Sequence, residues 1–505
     1  MLQQVLLSIL AIAVPALARR PAANSSFQQD TTVKYEVHNL PDANYSLPHS
    51  YAGGLGIPRK PGNSLFFWLF EAEDTAHSDD LILWISGGPG CSSLNTATIN
   101  GPIAFSQTSD TPEENPFSWT KLANVLFIDQ PIGTGYSFGK DSADDNEEVT
   151  EDFYSWLKEF YTVFPELKEK RTIIAGESYA GIYLNRILKT PQELSINLQA
   201  VSIGDPTIGS AATTFDFGIA SFLNESSQVL KIPQNISDAF AQADRECGMD
   251  EVLAQVTYPP KGKISVPKDL EHLNVRSREN QIGTSSCEVI PTTPELVQKS
   301  IKDCYGGCST FGTANVYLHT IDPCFNNYNI NYTCTTAPNA TNFSGWYNRP
   351  DVREAIHAKN KTFEVCSTTV LETLAREIVV PPTDNILPRI LQKMPVHIYS
   401  GTYDFQVNHI GTELAIQNMT WNGAQGFHCK PQTAFVVDNE EVGTWGRERQ
   451  LSYYLFKEAG HSVPHDKPAT TFTLMRDYIL GDSKGRHIEN LDPHHLQSTV
   501  GATKI

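Results

Sequence analysis

The stretch Arg171-Thr-Ile-Ile-Ala-Gly-Glu-Ser-Tyr-Ala-Gly-Ile-Tyr183 decides the fold. Thr172 to Ala175 form a short apolar run suited to a buried strand, and Ile182, Arg186, Ile187 and Leu188 suit a packed helix. Between them Gly176 and Gly181 flank Ser178, with Ala180 as a further small residue. Small residues there let a strand turn sharply into a helix and push one hydroxyl into a site, the geometry of a nucleophile elbow. A serine used in this way needs a base, an acid to orient the base, and donors for an oxyanion.

A second serine competes. Gly135-Tyr-Ser-Phe-Gly139 fits the strict Gly-x-Ser-x-Gly pattern, from which the first stretch departs by one residue. It leads, however, into the polar Lys140-Asp-Ser-Ala-Asp-Asp-Asn146, so only Ser178 has a strand before it and a helix after. In α/β-hydrolases the partners follow in the order Ser, Asp, His. Asp404 comes just after the strand-like Met394-Pro-Val-His-Ile-Tyr-Ser400, and His461 lies in Ala459-Gly-His-Ser-Val-Pro464 ahead of a last helix from Ala469 to Leu480. For the oxyanion, Ser86-Gly-Gly-Pro-Gly-Cys91 follows the strand-like Leu81 to Ile85, and the amide of Tyr179 is the second donor. His461-Ser-Val-Pro-His465 imitates a zinc-binding pair, but Pro464 disrupts a helix there and no Glu follows His461. No metal or cofactor is expected.

Outside these stretches, Met1 to Ala18 have the apolar run and Ala-x-Ala ending of a secretory signal, too short to span a membrane. Nine Asn-x-Ser/Thr sites (Asn24, Asn44, Asn224, Asn235, Asn331, Asn339, Asn342, Asn360 and Asn418) point the same way, toward a glycosylated product. On that route nine cysteines read as disulfides plus at least one left over, and Cys304-Tyr-Gly-Gly-Cys308 belongs to disulfide rather than metal chemistry. A net charge of −19, from 57 acidic and 38 basic residues, argues against a nucleic-acid partner.

Strands at Ser64 to Phe70, Leu81 to Ile85, Ala123 to Asp129, Leu198 to Gly204 and Val396 to Ser400 alternate with helices, of which Glu147 to Phe164 is the most periodic. That alternation predicts an α/β protein with a mostly parallel sheet and helices on both faces. From Ser210 to Gly345 periodicity weakens and six of the nine cysteines gather, as in an inserted cap. The expected division is a signal (1–18), the first part of the core (19–209), the cap (210–345), the second part of the core (346–480) and a polar tail (481–505).

Five segments together resemble the serine carboxypeptidases of the secreted or vacuolar fungal type. They are Trp84-Ile-Ser-Gly-Gly-Pro-Gly-Cys-Ser-Ser-Leu94, Asp129-Gln-Pro-Ile-Gly-Thr-Gly-Tyr-Ser137, Gly176-Glu-Ser-Tyr-Ala-Gly181, Ser400-Gly-Thr-Tyr-Asp404 and Ala459-Gly-His-Ser-Val-Pro464. The resemblance implies an α/β-hydrolase fold with a cap, a triad of Ser178, Asp404 and His461, and oxyanion amides at Gly88 and Tyr179. It also implies a Cys91–Cys366 disulfide and suggests Cys324–Cys334. The pairing of Cys247, Cys287, Cys304 and Cys308 stays open, with Cys429 as the odd thiol.

Two departures concern the substrate. The family binds the terminal carboxylate with an Asn before Gly-Gly-Pro-Gly, a Glu shortly before a downstream Gly-Pro, and the Glu preceding the nucleophile. Here Ser86 replaces the Asn, Ile99-Asn100 precede Gly101-Pro102 without that Glu, and Glu177 remains. The expectation is a serine carboxypeptidase acting through an acyl-enzyme at acidic pH, with Glu177, Ser86 and Gly87 at the substrate carboxylate. An esterase or acyltransferase acting on a small molecule is the alternative. Either would be a secreted or vacuolar monomer or homodimer.

Overall fold

The computed structural model describes residue 27 and residues 30–107, 109–140, 142–187, 196–266, 270, 288–304, 307–338, 340–358, 361–374, 377 and 380–483. The signal-like segment, Asn24, Cys287, Asn339, Asn360 and the tail beyond 483 lie outside them.

Ten strands form one sheet: β1 (Ser50–Ile57), β2 (Lys60–Phe70), β3 (Asp80–Ile85), β4 (Asn124–Asp129), β5 (Arg171–Glu177), β6 (Leu198–Gly204), β7 (Val396–Gly401), β8 (Thr433–Val437), β9 (Glu440–Glu448) and β10 (Leu451–Phe456). Their spatial order is β1-β2-β4-β3-β5-β6-β7-β10-β9-β8. The six strands from β4 to β10 in that order are parallel, and antiparallel strands close both edges. Strands buried on both faces carry near-continuous apolar runs, and β3 and β4, fully buried along their length, are apolar apart from Asp80, Asn124 and Asp129 at their ends.

Strands β8 to β10, at one end of the sheet, escape the sequence reading. Glu440-Glu-Val-Gly-Thr-Trp-Gly-Arg-Glu448 carries charge at both ends, and its buried residues come from cross-strand pairing with β10. A local signal does exist in the Asp438-Asn439 step, where both residues take positive φ, the conformation a tight hairpin requires.

Helix α1 (Ser93–Ala97) follows β3, and α2 (Asn146–Val163) packs on the face formed by β1 and β2. Asp145 caps α2 by accepting from the Glu148 N–H at 2.8 Å, and Glu147 and Glu148 suit the positive end of the helix dipole. Phe153, Trp156 and Phe160 give α2 its buried stripe, and Phe160 stands edge-on to Phe67 of β2 with ring centroids 5.5 Å apart. Helix α3 (Ala180–Ile187) leaves directly from the end of β5.

Between β6 and β7 the chain builds a helical layer that includes α4 (Gln234–Cys247) and α5 (Thr310–Ile321). Its own apolar cluster contains Phe215, Phe222, Phe240, Phe311 and Tyr317. Phe405, the residue after Asp404, joins that cluster: its ring stacks on Phe311 at 5.1 Å and meets Phe222 and Phe325 at 5.9 and 5.6 Å. The inserted layer therefore holds the loop that carries Asp404. Two disulfides brace it, Cys247–Cys308 and Cys324–Cys334.

Candidate active site

Ser178 sits at the turn from β5 into α3 with φ of +64°, a conformation that costs energy for a side-chain-bearing residue. Three hydrogen bonds hold it there. Its N–H donates to the Gly204 carbonyl at 2.9 Å, and its carbonyl accepts from Gly181 and Thr207, both at 3.0 Å. The small residues of the elbow are sterically required: a Cβ on Gly176 would come within 2.7 Å of the Ala180 methyl, and one on Gly181 within 2.8 Å of the Thr207 carbonyl.

The Gly-Gly loop after β3 lies directly against this turn. A Cβ on Gly87 would come 2.6 Å from the Tyr179 nitrogen and 2.8 Å from the Ser178 Cβ, so only glycine lets the two backbones approach. Gly88 adopts φ of +110° and is followed by a cis peptide to Pro89. The next residue but two, Cys91, is cross-linked to Cys366, and the Ser92 N–H donates to the Val365 carbonyl at 2.8 Å. Asp129 ties the same loop from below, accepting from the Ser92 hydroxyl at 2.6 Å, the Ser93 N–H at 2.9 Å and the Tyr136 N–H at 3.0 Å. Burial pushes the Asp129 carboxyl up to about 6 against those hydrogen bonds.

Ser137, the serine in the strict pattern, has a different place. It is fully buried, and its hydroxyl donates to the Asp129 carbonyl while accepting from the Phe66 N–H at 2.7 Å. It is a structural link between two strands.

Asp404 and His461 meet across two loops at the C-terminal ends of β7 and β10, where Oδ2 of Asp404 lies 2.7 Å from Nδ1 of His461. The other carboxylate oxygen accepts the Val407 N–H at 3.0 Å. His461 is positioned through its backbone, whose N–H donates to the Tyr328 carbonyl at 2.6 Å, and the Tyr328 ring stands 5.2 Å from the imidazole. Burial disfavours the imidazolium, but the facing Asp404 carboxylate, by charge and hydrogen bond, carries His461 above its ordinary value.

Ser178 and His461 open into one cavity of about 390 Å³, shared with Ser86, Gly87, Gly88 and Glu177. Ile99, Phe105, Tyr328 and Phe343 supply apolar wall, and Thr96, Tyr332, His465 and Asp466 supply polar wall. Glu177 keeps one oxygen, Oε2, shielded from solvent and without a short hydrogen bond among the described residues, and the Ser462 hydroxyl stands near its carboxyl. Burial pushes its carboxyl up to about 7, while the nearby His461 pulls the other way. Ser86 is already engaged, its hydroxyl accepting from Trp84 Nε1 at 3.1 Å and lying 3.0 Å from the Thr96 hydroxyl. Asn100 is buried, its side-chain amide has no hydrogen-bond partner among the described residues, and it does not line the cavity, whereas Ile99 does.

Two groups near the site escape the sequence reading. Asp466 accepts from the Gly460 N–H at 2.7 Å, Asn329 Nδ2 at 2.8 Å and the Tyr332 hydroxyl, tying the His461 loop to the inserted layer. Burial alone would raise its carboxyl, but the bonds from His465, Tyr332 and Gly460 hold it below the usual range. Asp205 is buried at the end of β6. Its signal is positional, since an acidic residue directly after a parallel strand stands at the edge where such sheets gather their sites.

Of the glycosylation candidates, Asn44, Asn224, Asn235 and Asn331 are exposed. Asn418 is half-buried, its side-chain oxygen accepting the Ile264 N–H at 2.8 Å, and Asn342 falls in the helix Ala340–Tyr347. Cys429 is an exposed free thiol. Among the described residues no group of three or more His, Cys, Asp or Glu is placed to hold a metal ion, and no helix is long and apolar enough to cross a membrane.

A strand-turn-helix serine on a largely parallel sheet, followed in chain order by a buried Asp–His pair, defines a serine hydrolase with the α/β-hydrolase fold. Residues 41–481 match the family model described as serine carboxypeptidase, and the chain belongs to that family. It is 40% identical over 500 residues to a carboxypeptidase Y homolog of Arthroderma benhamiae, covering 93% of this chain and 98% of that protein. It is 30% identical over 472 residues to carboxypeptidase sxa2 of Schizosaccharomyces pombe, covering 88% of each. Among solved structures it is similar in fold to Kex1(delta)p, a prohormone-processing carboxypeptidase from Saccharomyces cerevisiae. That match has a TM-score of 0.65 and 22% identity, over 89% of this chain and 96% of the other.

Proposed function

We propose that this serine carboxypeptidase releases C-terminal residues from peptides on the acid side of neutrality, with Ser178 as nucleophile, His461 as base and Asp404 as its orienting acid. The observation that carries the reading is the solvent-shielded Oε2 of Glu177, which makes no short hydrogen bond among the described residues and stands beside Ser178 in the cavity. A carboxyl that keeps its proton can donate to the terminal carboxylate of a peptide, and an ionised one repels it.

The chemistry then runs in two halves. His461 Nε2 takes the Ser178 proton as Oγ bonds to the scissile carbonyl carbon, and the oxyanion forms between the amides of Gly88 and Tyr179. The imidazolium returns that proton to the leaving nitrogen, the C–N bond breaks, and the last residue departs as a free amino acid. Water, deprotonated by His461, adds to the acyl carbon; the Ser178 ester bond breaks, and Ser178 recovers its proton. The imidazole must be neutral to begin, and its raised pKa sets the acid limit. Protonated Glu177 no longer supports the imidazolium by charge, which lowers that limit while the carboxylate site is in its binding form.

The pH dependence follows. Because Glu177 loses its proton near 7, kcat/KM for a peptide with a free C-terminus falls as pH rises through that value. At pH 5 the free peptide is favoured over its C-terminally amidated twin by roughly 10- to 100-fold, the worth of one charge-assisted hydrogen bond. Glu177→Gln keeps a donor but cannot ionise, so it loses the fall near pH 7. Equal cleavage of the twins at pH 5, or an unchanged fall in Glu177→Gln, overturns the reading.

A small ester as substrate is the second reading, favoured by the Ser86 hydroxyl being tied to Trp84 and Thr96. Turnover of such esters with no amino acid released from peptides selects it. The signal-like segment and the exposed sequons support passage through the secretory route, with the product outside the cell or in a vacuole.

A further inference from the structure

Behind the Asp404–His461 pair stands a carboxyl group that the reaction above does not use. Asp205 directly follows β6, the strand between the one that carries Ser178 and the one that leads to Asp404. Its side chain is fully buried. Its backbone takes φ of +40°, in a region that side-chain-bearing residues seldom adopt, and its N–H donates to the Tyr399 carbonyl at 2.7 Å. The turn aims the carboxyl across to β7, where Oδ1 accepts the Gly401 N–H at 3.0 Å. Oδ2 is buried and has no N–H or hydroxyl donor among the described residues, but the carboxyl is within hydrogen-bonding reach of Asp404.

Two buried carboxyls in contact cannot both be ionised without strong repulsion, so the pair keeps one proton between them. The donors decide where it resides. Asp404 already accepts from the Val407 N–H and from His461, which becomes cationic in the reaction, while Asp205 accepts a single N–H. The surrounding groups agree. Burial and the Asp404 charge push the Asp205 carboxyl well above its ordinary range, Glu177 adds in the same direction once ionised, and the nearby ring hydroxyls of Tyr399 on β7 and Tyr453 on β10 are neutral acids.

We propose that Asp205 is a positioning residue, held neutral, whose Oδ2–H donates to the Asp404 carboxylate and fixes that group as an anion facing His461. The proton stays on Asp205 throughout. Donation spreads the Asp404 charge and tempers its hold on the imidazolium, which keeps His461 able to release its proton to the leaving group. The inference rests on the Ser178, His461 and Asp404 assignment above.

The test is kinetic, with a small ester as substrate so that carboxylate recognition plays no part. Asp205→Ala lowers kcat by about 10- to 100-fold with KM little changed, the loss of one hydrogen bond to a charged group. The acid limb of its kcat profile moves to higher pH, because an unshared Asp404 charge holds the imidazolium more tightly. Asp205→Asn, which keeps an N–H donor and cannot ionise, restores both rate and limb to within about threefold of the parent. A wild-type rate in Asp205→Ala, or an unmoved limb with no rescue by Asn, overturns the proposal. Should Asp205→Ala not fold, Asp205→Asn decides alone: near-parental rate and limb support a neutral donor, and a fall beyond about 100-fold means an ionised carboxylate is needed and overturns it. Labelling of Ser178 by an organophosphonate separates the two layers. Failure to label the wild-type enzyme sinks the triad, whereas a labelled wild type with a fully active Asp205→Ala sinks only this inference.

Discussion

The sheet and the inserted helical layer contribute to the cavity in different ways. Ser178, Asp205 and Asp404 stand at or just past the C-terminal ends of β5, β6 and β7, whose relative positions are set by parallel ladders of backbone hydrogen bonds. Tyr328, Tyr332 and Phe343 reach the same cavity from segments held by side-chain packing and cross-links such as Cys324–Cys334. A bond-making group tolerates little displacement, whereas a wall that shapes the cavity tolerates more. The side chains at the strand ends should therefore control rate, while the inserted layer, which also holds the Asp404 loop through Phe405 and the His461 backbone through Tyr328, should control fit and local stability through the side chains it turns to the cavity. The largest expected effect tests the first half of that division. Ser178→Ala and His461→Ala each lower kcat by about 10⁴-fold or more, with melting temperature little changed, since neither side chain supports a ladder. Activity surviving at a hundredth of the parent level in Ser178→Ala would place the nucleophile elsewhere.

The next effect is on stability and belongs to the inserted layer. Cys247 and Cys308 close a loop with a sequence separation of 61, and replacing both by serine removes about 4 kcal/mol of chain-entropy stabilisation. Because α4 and α5 pack in a cluster distinct from those of the main sheet, the loss appears first as local opening. Hydrogen exchange should quicken in α4 and α5 while β3 to β6 stay protected. Equal quickening in the central strands would show that the two regions unfold as one unit and would break the comparison.

The same division explains what can be read from sequence. Ser178, Asp404 and His461 stand out as candidates because a serine nucleophile demands a strand-turn-helix, a strand-end acid and a following histidine, each marked by local glycine or strand pattern. The parallel strands are readable because burial on both faces forces continuous apolar runs such as Leu81-Ile-Leu-Trp-Ile85. Asp205 is not, since Gly204-Asp-Pro206 reads as an ordinary turn and its partner lies almost two hundred residues on, beside it only because β6 and β7 pair. Asp466 is obscured for a like reason. Its bond to Asn329 crosses 137 residues, and no local pattern announces it. Strands β8 and β9 derive their order from cross-strand partners rather than from a periodic apolar face of their own.

The smallest expected effect sharpens the comparison at the seam. The Tyr332 hydroxyl donates to Asp466, lies 2.9 Å from His465 Nδ1, and faces the cavity from the inserted layer. Tyr332→Phe keeps the ring and deletes that hydroxyl, leaving Asp466 its bonds from Gly460 and Asn329, so the His461 loop keeps its anchor. KM for a peptide should rise by roughly three- to tenfold, the worth of about one hydrogen bond spread over wall and substrate, with kcat within a factor of two. Steady-state kinetics on one peptide at pH 5 separates the two constants. If kcat falls tenfold while KM holds, a side chain of the inserted layer is acting on the reacting groups, and the division between a sheet that reacts and a layer that shapes no longer stands.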